Sequence, residues 1–156
     1  MGKVRANNED AFYFPQKDIE CPALYIVADG MGGHQGGEIA SEIAVKEVSS
    51  HINSVLLKDL HRNSQQIKTL LKTSLEIANT KVLELSHSDE DCSGMGTTIT
   101  MAVIDLSENI AYIGNVGDSR TYILRNNEIK QITEDHTFVQ ELVKEGKITQ
   151  QEAKKH

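Results

Sequence analysis

The stretch Thr97-Thr98-Ile99-Thr100-Met101-Ala102-Val103-Ile104-Asp105 decides the fold, because it opens a run of period-two segments. Residues 97–105, 110–116, 121–124 and 128–132 read as strands. Turn signals join them at Ser107-Glu108-Asn109, Gly117-Asp118-Ser119 and Asn126-Asn127. Four strands in succession leave no room for intervening helices. A nucleotide-binding fold with alternating strands and helices is therefore disfavoured, and antiparallel sheet is expected.

Upstream of this run the period is helical. Ala40, Ile43, Ala44, Val48, Ile52, Val55 and Leu56 form one apolar stripe beginning near Glu38. A second stripe carries Ile67, Leu70, Leu71, Ala78, Val82 and Leu85, with Asn63 or Ser64 placed to cap it. Two such helices with a short polar joint predict an antiparallel pair laid against the sheet. The polar, acidic segment 86–96 reads as a loop. Earlier still, residues 11–14, stopped by Pro15, read as a short strand. The continuous apolar run 24–28 reads as a strand buried on both faces and ending at Asp29. After the hairpins, Asp135 is positioned to cap a helix bearing Phe138, Leu142 and Val143 and closed by Gly146. Thr149 and Glu152 form a capping box for one more helix, and the chain stops four residues later at His156. The expectation is an α+β fragment of a larger domain.

Composition narrows the function. The 156 residues hold 16 Lys and Arg against 23 Asp and Glu, a net charge of −7. That balance is wrong for general binding to a nucleic-acid backbone, which needs clustered cations. Two cysteines, Cys21 and Cys92, with no CxxC pair, exclude a disulfide scaffold and a cysteine zinc site and fit a reducing compartment. No apolar run approaches membrane-spanning length and no signal-peptide core opens the chain, so a cytoplasmic protein is expected.

Chemistry concentrates at Asp29-Gly30-Met31-Gly32-Gly33-His34-Gln35-Gly36-Gly37. An acid at the end of a buried strand needs a cation or donors nearby. A simple turn with Asp29 as a cap is one reading. A phosphate loop is another, but no Lys-Ser/Thr follows the glycines, and Gln35 stands where the dinucleotide spacing needs glycine. Metal binding fits best, since carboxylate and carbonyl oxygens suit Mg²⁺ or Mn²⁺. Arg5, Glu9 and Asp10 read alone as a charged surface segment. Beside the Asp29 loop they could complete a site for a metal and a phosphate. Gly117-Asp118-Ser119-Arg120 reads equally as a plain turn or as a site element. The Asp89-to-Gly94 segment imitates an EF-hand, but its twelfth position is Thr100, so calcium is rejected there.

Taken together, five motifs occur in order: Arg5…Asn8-Glu9-Asp10; Val27-Ala28-Asp29-Gly30-Met31-Gly32-Gly33-His34…Gly37-Glu38; Gly96-Thr97-Thr98; Asn115-Val116-Gly117-Asp118-Ser119-Arg120; and Thr133-Glu134-Asp135-His136. This series resembles the bacterial branch of the metal-dependent, type 2C Ser/Thr protein phosphatases. The resemblance implies a sandwich of two antiparallel sheets flanked by antiparallel helix pairs. It implies that Asp29 bridges two Mn²⁺ or Mg²⁺ ions, with Glu9 and the Gly30 carbonyl completing one ion's protein ligands. Asp118 would bind a third, weaker ion, Asp10 would support the site, and Arg5 would grip the substrate phosphate. Met31 stands where animal-type members carry a proton-donating histidine, which leaves His34 as a candidate donor. Phosphoprotein substrates, a cognate Ser/Thr kinase and a monomeric complete domain are implied in the same way.

The family also has an opening strand before Gly2, and later Asp-Gly-Leu and Asp-Asn elements, that this sequence lacks. Weak ion binding, little turnover and unpaired sheet edges are accordingly expected. A non-catalytic, phosphoprotein-binding relative is the alternative.

Overall fold

The computed structural model describes residues 7–15, 22–32, 36–57 and 62–153. Its first layer is an antiparallel sheet of five strands: β1 (Asp10–Tyr13), β2 (Ala23–Met31), β3 (Gly96–Thr97), β4 (Ile99–Asp105) and β5 (Ile110–Val116). The order is β1-β2-β4-β5, and β3 pairs with the far end of β2. β5 has the bounds its sequence pattern predicts. The segment expected to be one strand over 97–105 is broken at Thr98, whose N–H turns to the Asp29 carbonyl at 2.9 Å.

Helices α1 (Gly36–Leu56) and α2 (Ser64–Ser88) cover one face of this sheet. Ala40, Ala44, Val48, Ile52 and Leu56 of the predicted stripe are buried, as are Ile67, Leu70, Leu71, Ala78 and Val82 of the second. Apart from Ala40 and Val82, which pack with Cys92 and Met95, they close on Leu24, Ile26, Ala28, Ile99, Met101 and Val103 from the sheet. Asn63 caps α2 in a capping box: its side chain accepts from the Gln66 N–H at 3.0 Å, and the Gln66 side chain accepts from the Asn63 N–H at 2.9 Å. Such a cap contributes about 1 kcal/mol.

Several expectations need correction. β2 is buried on one face only: Tyr25 and Val27 are 43% and 52% exposed, because among the described residues only the helix-side face is covered. An unbroken apolar run cannot show which alternate residues are covered. β2 also continues through Asp29 to Met31, since β1 and β3 both extend its ladder. The segment 86–96 is not simply a loop. α2 runs to Ser88, and a 3₁₀ turn (Glu90–Cys92) capped by the Asp89 side chain buries Cys92. Burial, together with Asp89 and Asp91, pushes the Cys92 thiol up, leaving it a protonated core residue.

The second sheet is a hairpin of β6 (Tyr122–Arg125) and β7 (Glu128–Gln131). Asn126 and Asn127 both take left-handed φ, 53° and 63°, as a tight two-residue turn with right-handed strand twist requires. α3 (Phe138–Lys144) and α4 (Gln150–Ala153) follow, the latter opened by the expected Thr149–Glu152 capping box. No helix among the described residues is long and apolar enough to cross a membrane.

At the β4–β5 turn the buried carboxylate of Asp105 accepts from the Ser107 hydroxyl at 2.6 Å and the N–H groups of Ser107 and Glu108 at 2.9 and 3.2 Å. These donors, the Ser107 hydroxyl foremost, favour the charged form and hold its pKa below the ordinary value. A depressed native pKa stabilises the fold above the unfolded carboxylate range and ceases to do so as pH falls through the native value. We expect Asp105→Asn to cost about 1–3 kcal/mol at pH 7. The gap should close on acidification below about pH 4. Melting curves followed across pH check this; a gap that persists undiminished at pH 2 would contradict it.

Candidate functional site

Two glycines, Gly30 and Gly37, and three acids, Glu9, Asp10 and Asp29, lie where β1 begins and β2 ends. In the antiparallel register Asp10 lies opposite Asp29, which makes the two acids cross-strand neighbours. One residue earlier, the Glu9 carbonyl accepts the Gly30 N–H at 3.0 Å. The same carbonyl accepts the hydroxyl of fully buried Ser41 at 2.7 Å, which pins the strand to the first turns of α1. The Glu9 carboxylate lies under the start of that helix: a Cβ built on Gly37 would come within 2.9 Å of its Oε1.

Glycine is required here for close approach. A Cβ at Gly30 would stand 1.9 Å from the Gly37 carbonyl oxygen and 2.7 Å from that of Glu9. The bare backbone lets β1, β2 and α1 pack against one another at the acids. This is a physical reason for the glycine-rich sequence that spacing alone did not supply.

Pleat parity distributes the acids. Asp29, with Asp10, is on the face away from the helices, whereas Glu9 abuts Gly37 at the helix side. All three belong to one end of the β1–β2 pair. Their oxygens and the Gly30 carbonyl are hard donors, the type that Mn²⁺ and Mg²⁺ prefer. Among the described residues no three of His, Cys, Asp and Glu are grouped closely enough to hold a metal ion. Among the described residues the donor set therefore fits a hard cation in chemical type and supplies only part of its coordination.

Asp118 occupies a separate exposed turn that is tied to the same region. The Thr98 hydroxyl is 3.3 Å from the Asp29 N–H, which donates to it, and 2.6 Å from the Ser119 hydroxyl. The Thr97 hydroxyl donates to the Asp29 carbonyl at 3.0 Å. Gly117 takes φ 95°, and its would-be Cβ meets the Thr98 side chain at 2.8 Å. Position 117 thus demands glycine twice over, by conformation and by space.

Two candidate residues, Arg5 and His34, lie outside the described residues. Met31 is described and exposed, an apolar side chain with no proton to give.

The structure also supplies partners the sequence did not reveal. Asp135 does not cap α3; Thr137 does, accepting the Gln140 N–H at 3.2 Å. Asp135 instead pairs with Arg120, whose Nε and Nη2 reach its two oxygens at 2.9 and 2.6 Å. The forked guanidinium holds the Asp135 carboxyl below the usual carboxylate range. The two partners are 15 residues apart, and a local capping pattern carries no signal of such a pair.

Comparison with known proteins gives a consistent picture. Residues 3–155 match the family described as Protein phosphatase 2C. The chain is 39% identical to the serine/threonine phosphatase stp of Listeria monocytogenes serovar 1/2a, over 99% of this chain and 59% of that protein. It is 37% identical to the serine/threonine protein phosphatase PstP of Mycobacterium tuberculosis, over 99% of this chain and 27% of that one. Among solved structures, Stp1 from Staphylococcus aureus aligns with TM-score 0.81 and 33% identity, over 99% of this chain and 58% of that chain. The catalytic domain of PstP in complex with two manganese ions aligns with TM-score 0.73 and 37% identity, over 97% and 60%. The chain spans about three-fifths of the length of the Listeria relatives, 59%.

Proposed function

Because the chain belongs to the protein phosphatase 2C family, we propose that its site serves metal-dependent hydrolysis of phosphoserine and phosphothreonine in proteins. The observation that carries this reading is the register that brings Glu9, Asp10, Asp29 and Gly30 to the same end of β1–β2. A bound Mn²⁺ or Mg²⁺ would lower the pKa of its water to give a nucleophile at neutral pH and neutralise charge on the phosphoryl oxygens. Glu9, Asp29 and the Gly30 carbonyl would hold that ion, and Asp118 a more weakly held one. Asp10, opposite Asp29, keeps a second negative charge beside the site. Arg5 would take the phosphate with its planar fork, and His34 would return a proton to the leaving hydroxyl. The substrates are phosphoproteins, an opposing Ser/Thr kinase is the natural partner, and the compartment is the cytoplasm.

The partial donor set favours weak ion binding and low turnover in residues 1–156 taken alone, as an incomplete catalytic domain. The test is hydrolysis of an aryl phosphate with excess Mn²⁺, beside a longer version carrying the family's later Asp-Gly-Leu and Asp-Asn elements. We expect clear turnover only from the longer version. Equal turnover would refute the partial-site reading. Phosphopeptide binding without turnover in either version would favour the non-catalytic alternative.

A further inference from the structure

Residues 117–120 and 133–136 run past each other as a short two-rung ladder, and Asp118 stands between the rungs. In the first rung the His136 N–H donates to the Gly117 carbonyl at 2.9 Å, and the Gly117 N–H donates back to His136 Nδ1 at 3.4 Å. In the second, Arg120 forks onto Asp135 through Nε, at 2.9 and 3.1 Å, and Nη2, at 2.6 Å. The Gln131 amide donates to the same carboxylate at 3.1 Å, so both Asp135 oxygens are committed. The Asn115 amide spans the two segments, donating to the Gly117 carbonyl at 3.2 Å and the Glu134 carbonyl at 3.5 Å. Among the described residues none of these hydrogen bonds reaches the Asp118 carboxylate, which is exposed. The surrounding bonds fix its backbone and leave its oxygens presented.

We infer that Asp135 is a positioning residue for Asp118, acting through Arg120 to hold the 117–120 turn in the orientation that presents the Asp118 carboxylate. This rests on the proposed reading of Asp118 as an ion ligand. A turn that carries φ 95° at Gly117 and an exposed acid needs an external frame to keep one orientation. A bidentate ion pair supplies direction as well as attraction, which a lone charge does not. The Arg120 side chain is 48% exposed, so solvent screens the pair and its effect is held to about tenfold.

Two measurements on the 156-residue chain test this. Without metal, exchange of the hydrogen-bonded amides of Gly117 and His136 should quicken about tenfold in Asp135→Asn, while amides 28–30 keep their rates. Asp135→Glu, which retains the charge, should recover part of the protection. With Mn²⁺ alone as probe, broadening of the 117–119 resonances should need about tenfold more ion in Asp135→Asn. In an Asp118→Asn background, Asp135→Asn should change ion binding no further while still loosening the turn. Unchanged exchange at Gly117 and His136 would overturn the positioning role. So would ion binding that weakens equally with and without Asp118, since Asp135 would then act on the fold in general. Absence of Mn²⁺ binding in the parent chain would sink the ion-ligand reading instead, and the metal-free exchange still decides whether Asp135 orients the turn.

Discussion

Replacing Gly30 with alanine should destabilise the chain more than any other single methyl addition considered. The new Cβ would lie 1.9 Å from the Gly37 oxygen, 2.5 Å from the Gly37 carbonyl carbon and 2.7 Å from the Glu9 oxygen. All three atoms belong to backbone, so no side chain can rotate away, and β2 must part from α1 or from β1. Ordinary overpacking costs about 1–3 kcal/mol, and this arrangement belongs at or above the top of that range. With about 2–4 °C per kcal/mol for a chain of this size, the melting temperature should fall by roughly 6–12 °C. Gly146→Ala is the control: it meets left-handed strain at φ 69° but nothing within 4 Å, so it should cost about 1 kcal/mol. Thermal unfolding of the two variants decides the matter. A Gly30→Ala melting temperature within 2 °C of the parent (on the order of 0.5–1 kcal/mol) would show that the junction is looser than described.

The second large effect is chemical. Asp29→Asn keeps the side-chain shape and removes one negative charge at an exposed strand position, so its largest expected effect is on ion binding. Its ladder partners are backbone groups, and the Thr97 and Thr98 bonds reach its carbonyl and N–H, which asparagine retains. Ion affinity depends on the count of charged ligands, and one lost from so partial a set should weaken Mn²⁺ binding at least about tenfold. Calorimetric titration of parent and variant with Mn²⁺ measures it. An unaltered affinity would remove Asp29 from the site, whatever became of the rest.

How much of this could be read from the residues varies with the range of the interaction. The 3.6-residue stripes of α1 and α2 are local patterns, and they name the buried positions well. β5 and the Asn126-Asn127 turn are similarly local. The double burial expected of residues 24–28 failed, because whether Tyr25 and Val27 are covered depends on a layer the run itself cannot specify. The cap expected at Asp135 does not form for a related reason. Thr137 competes for the same job two residues later, and the carboxylate follows the stronger charged partner at Arg120. At the site, the types of donor were legible in Glu9, Asp29 and the glycines. The contact of Gly37 with the Glu9 carboxylate, across 28 positions of sequence, was not. The link from Thr98 to both Asp29 and Ser119 was also invisible, since a hydroxyl between a strand and a turn leaves no periodicity.

The most direct measurement is the location of a paramagnetic ion by NMR. Substoichiometric Mn²⁺ added to the 156-residue chain should broaden the amide resonances of Glu9, Asp10, Asp29, Gly30 and Gly37 first, and leave the β6–β7 hairpin sharp. Uniform broadening, or broadening that spares Glu9 and Asp29, would mean that these acids do not share a cation.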